Sequence, residues 1–138
     1  MLEITTSIQN ARVSVTIIRT KGEIDSSNYK IFQARAEETI AGGARYLLLD
    51  MKEVSYISSA GLRVIHTLFN KLRDLHKDAT DDELRKETSA GAYKSPYLKI
   101  VHLAEQAKEV FELSGFDVYI EAYSDPQRAV ESFQPPSG

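Results

Sequence analysis

Short stretches in which apolar and polar positions alternate open the chain, and longer stretches with helical periodicity follow. Residues 2–8 and 12–19 read as two strands. In the second, Val13, Val15 and Ile17 recur at a period of two, and the β-branched residues around them suit a pleated surface. Gln9-Asn10-Ala11 between them suits a hairpin turn. The loop 22–28 is rich in turn formers and ends in residues suited to cap a helix. A helix is expected over 28–41, with Ile31, Phe32 and Ile40 on its apolar stripe and Gly42-Gly43 as its stop.

The run Tyr46-Leu47-Leu48-Leu49-Asp50-Met51 is nearly continuous in apolar residues, as a central strand buried on both faces would be. From Ser58 to about Lys77 the pattern becomes strongly amphipathic. Leu62, Ile65, Leu68, Phe69, Leu72 and Leu75 fall on one side; Arg63, His66, Asn70, Arg73 and Lys77 fall on the other. The segment 78–96 then carries mixed charge and almost no core-forming residues, and it reads as a polar, mobile insertion. Within it, Thr80 and Glu83 have the spacing of a capping box for a short helix over 81–87. A strand at 97–102, a helix at 104–114 ended by Gly115, and a last strand at 116–120 follow. Ser124-Asp125-Pro126 opens a final helix, with proline where its missing N–H costs nothing, and 135–138 form a frayed tail.

Strands alternating with helices in this order predict an α/β fold. The expected architecture is a mixed, mostly parallel central sheet of about five strands packed by about four helices. Residues 1–134 would form one domain, with right-handed crossovers joining its later strands. In such sheets the loops at the carboxyl ends of strands carry function, which singles out 22–28 and 52–60.

Composition narrows the function. The chain has 138 residues, 42% of them hydrophobic and 27% charged, the balance of a globular protein with a real core. Its 17 basic residues are scattered among 20 acidic ones, for a net charge of −3, so nucleic acid is not the expected partner. No apolar run approaches the roughly 20 residues that span a bilayer, so no membrane partner is expected, and no secretory signal is visible at 1–10. A cytoplasmic protein is the expectation. Cysteine is absent, which removes disulfides, zinc–thiolate sites and thiol catalysis.

His66, His76 and His102 lie far apart without metal-ligand spacing, so neither a metal nor a cofactor is expected. Ser59 and His66 are seven positions apart on one helix, but no Gly-x-Ser-x-Gly elbow accompanies them. Without an acid–base constellation the chain is not expected to be an enzyme. What stands out is Ser58-Ser59-Ala60-Gly61, between the buried strand and the best helix. A serine here can cap the helix. A phosphoserine here would place about −1.5 to −2 charges at the helix end that favours anions.

The line LLLDMKEVSYISSAGLRVI, from Leu47 to Ile65, closely resembles the STAS domain family, the bacterial anti-sigma factor antagonists. Gly22-Glu23-Ile24-Asp25 with Asn28, Lys99 to Leu103, and Val110 to Phe116 fall where that family has comparable segments. The resemblance covers nearly the whole chain except 78–96. The resemblance implies partner switching: the unphosphorylated protein binds an anti-sigma factor that is also a serine kinase, and phosphorylation of one serine abolishes binding. It places the acceptor on Ser59, with Ser58 as the alternative. The docking surface would comprise Asp25, Ser26, Asn28, Ser58, Ser59, Ala60, Gly61, Leu62 and Arg63.

A serine phosphatase is a further candidate partner, and the protein would act as a monomer or weak dimer. The chain departs from the pattern in two places. Ser58 stands where many phosphorylated members have Asp, and Ala60 replaces the following Ser or Thr. Arg63, one turn beyond Ser59, is placed to pair with a phosphate there. The competing reading is a small-ligand or nucleotide sensor on the same fold, using the helix start at 58–62 as an anion site.

Overall fold

The computed structural model describes residues 2–76 and 95–135. The expected short helix at 81–87 lies outside them, as do nearly all of the 78–96 segment and the end of the tail.

The two opening strands begin one or two residues later, and end two residues later, than their pattern suggested. β1 (Glu3–Asn10) and β2 (Ser14–Lys21) pair antiparallel from Glu3↔Lys21 to Asn10↔Ser14. The turn is therefore Ala11-Arg12-Val13 rather than 9–11. The Ser14 hydroxyl bonds Asn10 Oδ1 at 2.8 Å, which closes the hairpin at that rung. β2 then pairs in parallel with β3 (Leu47–Glu53), β3 with β4 (Leu98–Val101), and β4 with β5 (Glu121–Tyr123). The sheet order is β1-β2-β3-β4-β5, mixed and mostly parallel as expected.

Three helices cover one face of the sheet and one covers the other. α1 (Tyr29–Ala41), α2 (Ser59–His76) and α3 (Glu105–Leu113) bury Phe32, Ile65, Leu68, Phe69 and Phe111 against Ile18, Leu47, Leu49 and Ile100. α4 (Pro126–Ser132), with Phe133, covers Val15, Ile17, Leu48 and Val101 on the opposite face. Asp125 caps α4 by accepting from the Gln127 N–H at 3.0 Å, with Pro126 at its first position. Lys99 is buried on that side, paired with Glu121 at 3.3 Å and bonded to the Ser132 hydroxyl at 2.9 Å. That pairing accounts for a charged residue inside an otherwise apolar strand.

The strand expected at 116–120 is not a strand. Phe116–Val118 form a 3₁₀ turn, launched by Gly115 at φ +80°, and the last strand comes later, at 121–123. Phe116, Tyr119 and Ile120 fit a helical turn as well as an extended one, which is the ambiguity of short apolar runs. Packing decides it: Phe116 and Tyr119 turn back onto His66, with ring centroids 5.7 and 6.0 Å away.

Other departures concern which face a residue takes. Ile31 and Leu75, expected inward, are exposed at 56% and 44%, and Leu113 of α3 is exposed at 81%. Arg73, expected outward, is buried, with its guanidinium 5.7 Å from the Phe69 ring one turn earlier. Ser95, at the edge of the expected insertion, is buried and takes part in the fold: its N–H bonds the Tyr119 carbonyl at 2.8 Å.

Candidate functional site

The connection from β3 to α2 passes the carboxyl end of the sheet beside the connection from β2 to α1. The two are joined by backbone bonds. Gly22 N–H donates to Glu53 O at 3.0 Å, Ile24 N–H to Tyr56 O at 2.9 Å, and Ser58 N–H to Ile24 O at 2.8 Å. Ile24 and Ile57 form a parallel bridge, and both side chains are fully buried. A third element holds the same point. The Gln106 side chain of α3 accepts from the Ile57 N–H at 3.2 Å and donates to the Ile57 carbonyl at 3.4 Å. Two buried polar groups of a loop are thus satisfied by one amide from a residue 49 positions away.

Helix α2 starts against this scaffold. The Ser58 hydroxyl accepts from the Gly61 N–H at 3.3 Å, capping the helix three residues on. Gly61 has no room for a side chain: a Cβ there would lie 2.6 Å from Ile57 Cγ1 and 2.8 Å from Ile24 Cγ2. Leu62 is buried below it. Ser59, at the first helical position, is exposed. Among the described residues no side chain bonds its hydroxyl. Ala60 is half-buried and Arg63 exposed, and both line a shallow groove of about 130 Å³ with Tyr29, Gln33 and Thr67 of the facing helices.

The loop 25–28 beside it is organised by its own side chains. The Asp25 carboxylate accepts from both the N–H and the hydroxyl of Ser27. These bonds hold its pKa below the ordinary carboxylate value, because they favour the ionised form. Asn28 stands at the position preceding α1 but does not cap it. Its amide reaches backward instead, accepting from the Asp25 N–H at 2.9 Å and donating to Glu23 O at 2.7 Å. Asp25 and Asn28 are half-buried and Ser26 is exposed.

The structure therefore brings the expected site residues together but divides them by task. Ser26, Ser59, Ala60 and Arg63 offer surface. Asp25, Asn28 and Ser58 hold loops in shape, and Gly61 and Leu62 are inside. Two residues escaped sequence reasoning. Gln106 gives no local signal, because its partner is far away in sequence. Tyr56, two residues before the cap and 41% exposed, is readable only as an apolar residue that failed to be buried.

The histidines serve elsewhere. His66 Nδ1 lies 2.9 Å from the Tyr119 hydroxyl, between Phe116 and Phe69. Burial lowers its pKa, with Arg73 adding repulsion, and burial pushes Tyr119 up to about 12. His66 is thus committed to the wedge that packs the 116–119 turn against α2. His76 stacks on Tyr97 with centroids 3.6 Å apart and meets the Arg45 carbonyl at 3.0 Å. Among the described residues no helix is long and apolar enough to cross a membrane.

Comparison with known proteins bears on the family and the fold. The STAS domain family model matches residues 6–76, from β1 through α2. BtrV of Bordetella bronchiseptica, which carries the name of an anti-sigma factor antagonist, is 29% identical over 96 residues. That match spans 70% of this chain and 66% of the relative, a little under two thirds of its length. In three dimensions the chain is similar to a Thermotoga maritima structure bearing the same description, with a TM-score of 0.71 at 18% identity, covering 94% and 93% of the two chains. It is also similar to unphosphorylated SpoIIAA, named an anti-sigma factor antagonist, with a TM-score of 0.64 at 15% identity over 92% and 94%. The phosphorylated form of SpoIIAA, a Bacillus cell fate determinant, gives 0.59 at 14% over 92% and 97%. At these identities the solved structures establish the shared fold, and the family match extends over more than half the sequence. The chain belongs to the STAS domain family.

Proposed function

We propose that this protein is an anti-sigma factor antagonist that acts by partner switching. Its unphosphorylated surface at 25–28 and 58–63 docks on an anti-sigma factor that is also a serine kinase. Phosphorylation of Ser59 ends the complex, and a serine phosphatase resets it. The protein itself performs no catalysis and works in the cytoplasm.

The observation that carries this reading is the placement of Ser59. Its hydroxyl is exposed at the first position of α2, on a turn pinned from three sides, while the neighbouring Ser58 hydroxyl is occupied as the cap. Ser58 can supply the cap that an Asp would supply at this position, since Ser and Asp are about equally good N-caps. Its engagement favours Ser59 as the acceptor. A phosphate on Ser59 would sit at the favourable end of the helix, so the fold would accept the added charge of about −2. A partner packed on the neutral turn would not, because a dianion there must lose its water and face whatever acidic groups the partner presents. Arg63, one turn on, is placed to hold the phosphate against α2.

The test is to incubate the protein with a cognate anti-sigma factor kinase and ATP, and to map the modified residue by mass spectrometry. Modification at Ser59, lost in Ser59→Ala and kept in Ser58→Ala, supports the reading. It fails if Ser59→Ala is still modified and Ser59→Asp still binds normally.

A further inference from the structure

A second concavity lies past the carboxyl ends of β3, β4 and β5. It encloses about 480 Å³ and is lined chiefly by Lys52, His102, Leu103, Lys108, Tyr123 and Ser124. Its charge is one-sided. Two lysines and an imidazole face it, and among the described residues no carboxylate lines it, in a protein whose net charge is −3. Three neighbouring acids are engaged elsewhere: Asp125 caps α4, Glu121 pairs with Lys99, and Asp50 pairs with Arg19 at 3.3 Å. Glu53, Glu105 and Glu109 are exposed and are not part of its lining.

The backbone at this place is also unusual. His102 has φ +64°, the one non-glycine residue among those described that adopts the left-handed region. It is held there by its N–H bond to the Tyr123 carbonyl at 3.0 Å. Any residue with a Cβ is strained in this conformation. Glycine would adopt it freely, yet the position carries an imidazole at the rim of the cavity.

From this geometry we infer that the cavity is a binding site for a phosphate monoester of a small organic molecule. The lining residues carry two ammonium groups, an imidazole and a hydroxyl, donors of the kind that a dianion with three terminal oxygens takes. The space exceeds what a bare phosphate fills and lies within the ~300–1,000 Å³ usual for small-molecule sites. Leu103 and Tyr123 add apolar atoms to the lining for the organic part. The site lies where open α/β sheets place ligands, beyond the carboxyl ends of parallel strands. It is separate from the 58–61 turn, although α3 borders both: Lys108 lines the cavity and Gln106 bonds Ile57.

The test is an NMR titration of the full chain with phenyl phosphate, inorganic phosphate, and sodium chloride at matched ionic strength. Saturable shifts of the His102, Leu103 and Ser124 amides are expected with phenyl phosphate, weaker ones with inorganic phosphate, and none with chloride. Lys52→Ala/Lys108→Ala should weaken phenyl phosphate at least about tenfold, equivalent to about 1.4 kcal/mol. His102→Gly, which keeps the backbone conformation without cost, should weaken it too. The control Arg12→Ala/Lys30→Ala removes the same charge elsewhere and should leave affinity unchanged. The inference is overturned by non-saturable shifts, by equal affinity for phosphate and phenyl phosphate, by unchanged binding in the pocket variants, or by equal weakening in the control. No kinase or anti-sigma factor enters this experiment, so it stands or falls apart from partner switching.

Discussion

Two connections at the same end of the sheet are built in opposite ways. The β3–α2 connection, ending at Ser58, is gripped by backbone bonds from the 22–24 segment, by both arms of Gln106, and by a glycine that admits no side chain. The β4–α3 connection, from His102 to Ala104, holds one strained residue and leaves an open cationic hollow. A rigid turn that exposes one hydroxyl suits recognition of a flat protein surface, where a small shift of the turn would spoil the fit. A hollow lined by lysines and a histidine suits a small anion. The contrast teaches that position at the carboxyl end of a sheet marks a region as functional, while the grip on its backbone indicates what kind of partner it can take.

The comparison can be broken most forcefully at Gly61. Gly61→Val places a branched side chain against Ile57 and Ile24, which should cost about 3 kcal/mol in chemical denaturation, as overpacking of tight cores does. Gln106→Ala comes next. It strips partners from two backbone groups of a residue only 1% exposed, and should cost about 2 kcal/mol. Its signature is faster amide exchange at Ile57 and Ser58 than at His102, which separates a loosened turn from general weakening. Ser58→Ala removes the cap of α2 and should lower stability by about 1 kcal/mol. Ser59→Ala should be the quietest, within about 0.5 kcal/mol, since its exposed hydroxyl holds nothing in place. If Ser59→Ala proved more destabilising than Ser58→Ala, the division between capping and presenting hydroxyls would be wrong.

Much of this was legible in the sequence where periodicity was long. The buried strand Leu47–Glu53 and the helix Ser59–His76 stand close to where their patterns put them. The order of elements also gave the mixed sheet. Short segments were less readable. Phe116 to Ile120 carry a pattern that fits a strand or a turn, and the choice is made by His66, some 50 positions earlier, through ring packing. Arg73 lies buried over the Phe69 ring one turn earlier while Leu75 faces outward, an exchange of faces that the period of α2 does not show.

The candidate site shows the same limit. The turn, its serines and the Asp25 loop announce themselves as a helix start and a cluster of turn formers. The burial of Gly61 and Leu62, the backward reach of Asn28 and the grip of Gln106 depend on neighbours that only folding supplies. Motif reading grouped residues by sequence proximity, whereas the fold sorted them into those that present and those that hold.

The central claim is that the 58–61 turn docks a protein partner when Ser59 is neutral and releases it when Ser59 carries a phosphate. The most direct measurement is the affinity of an anti-sigma factor kinase, without ATP, for protein bearing serine or phosphoserine at position 59. Calorimetry on the two forms, with circular dichroism to verify equal folding, would decide it. A loss of at least about a hundredfold is expected for the phosphorylated form, equivalent to about 2.7 kcal/mol. Equal affinity of the two forms, both folded, would contradict it.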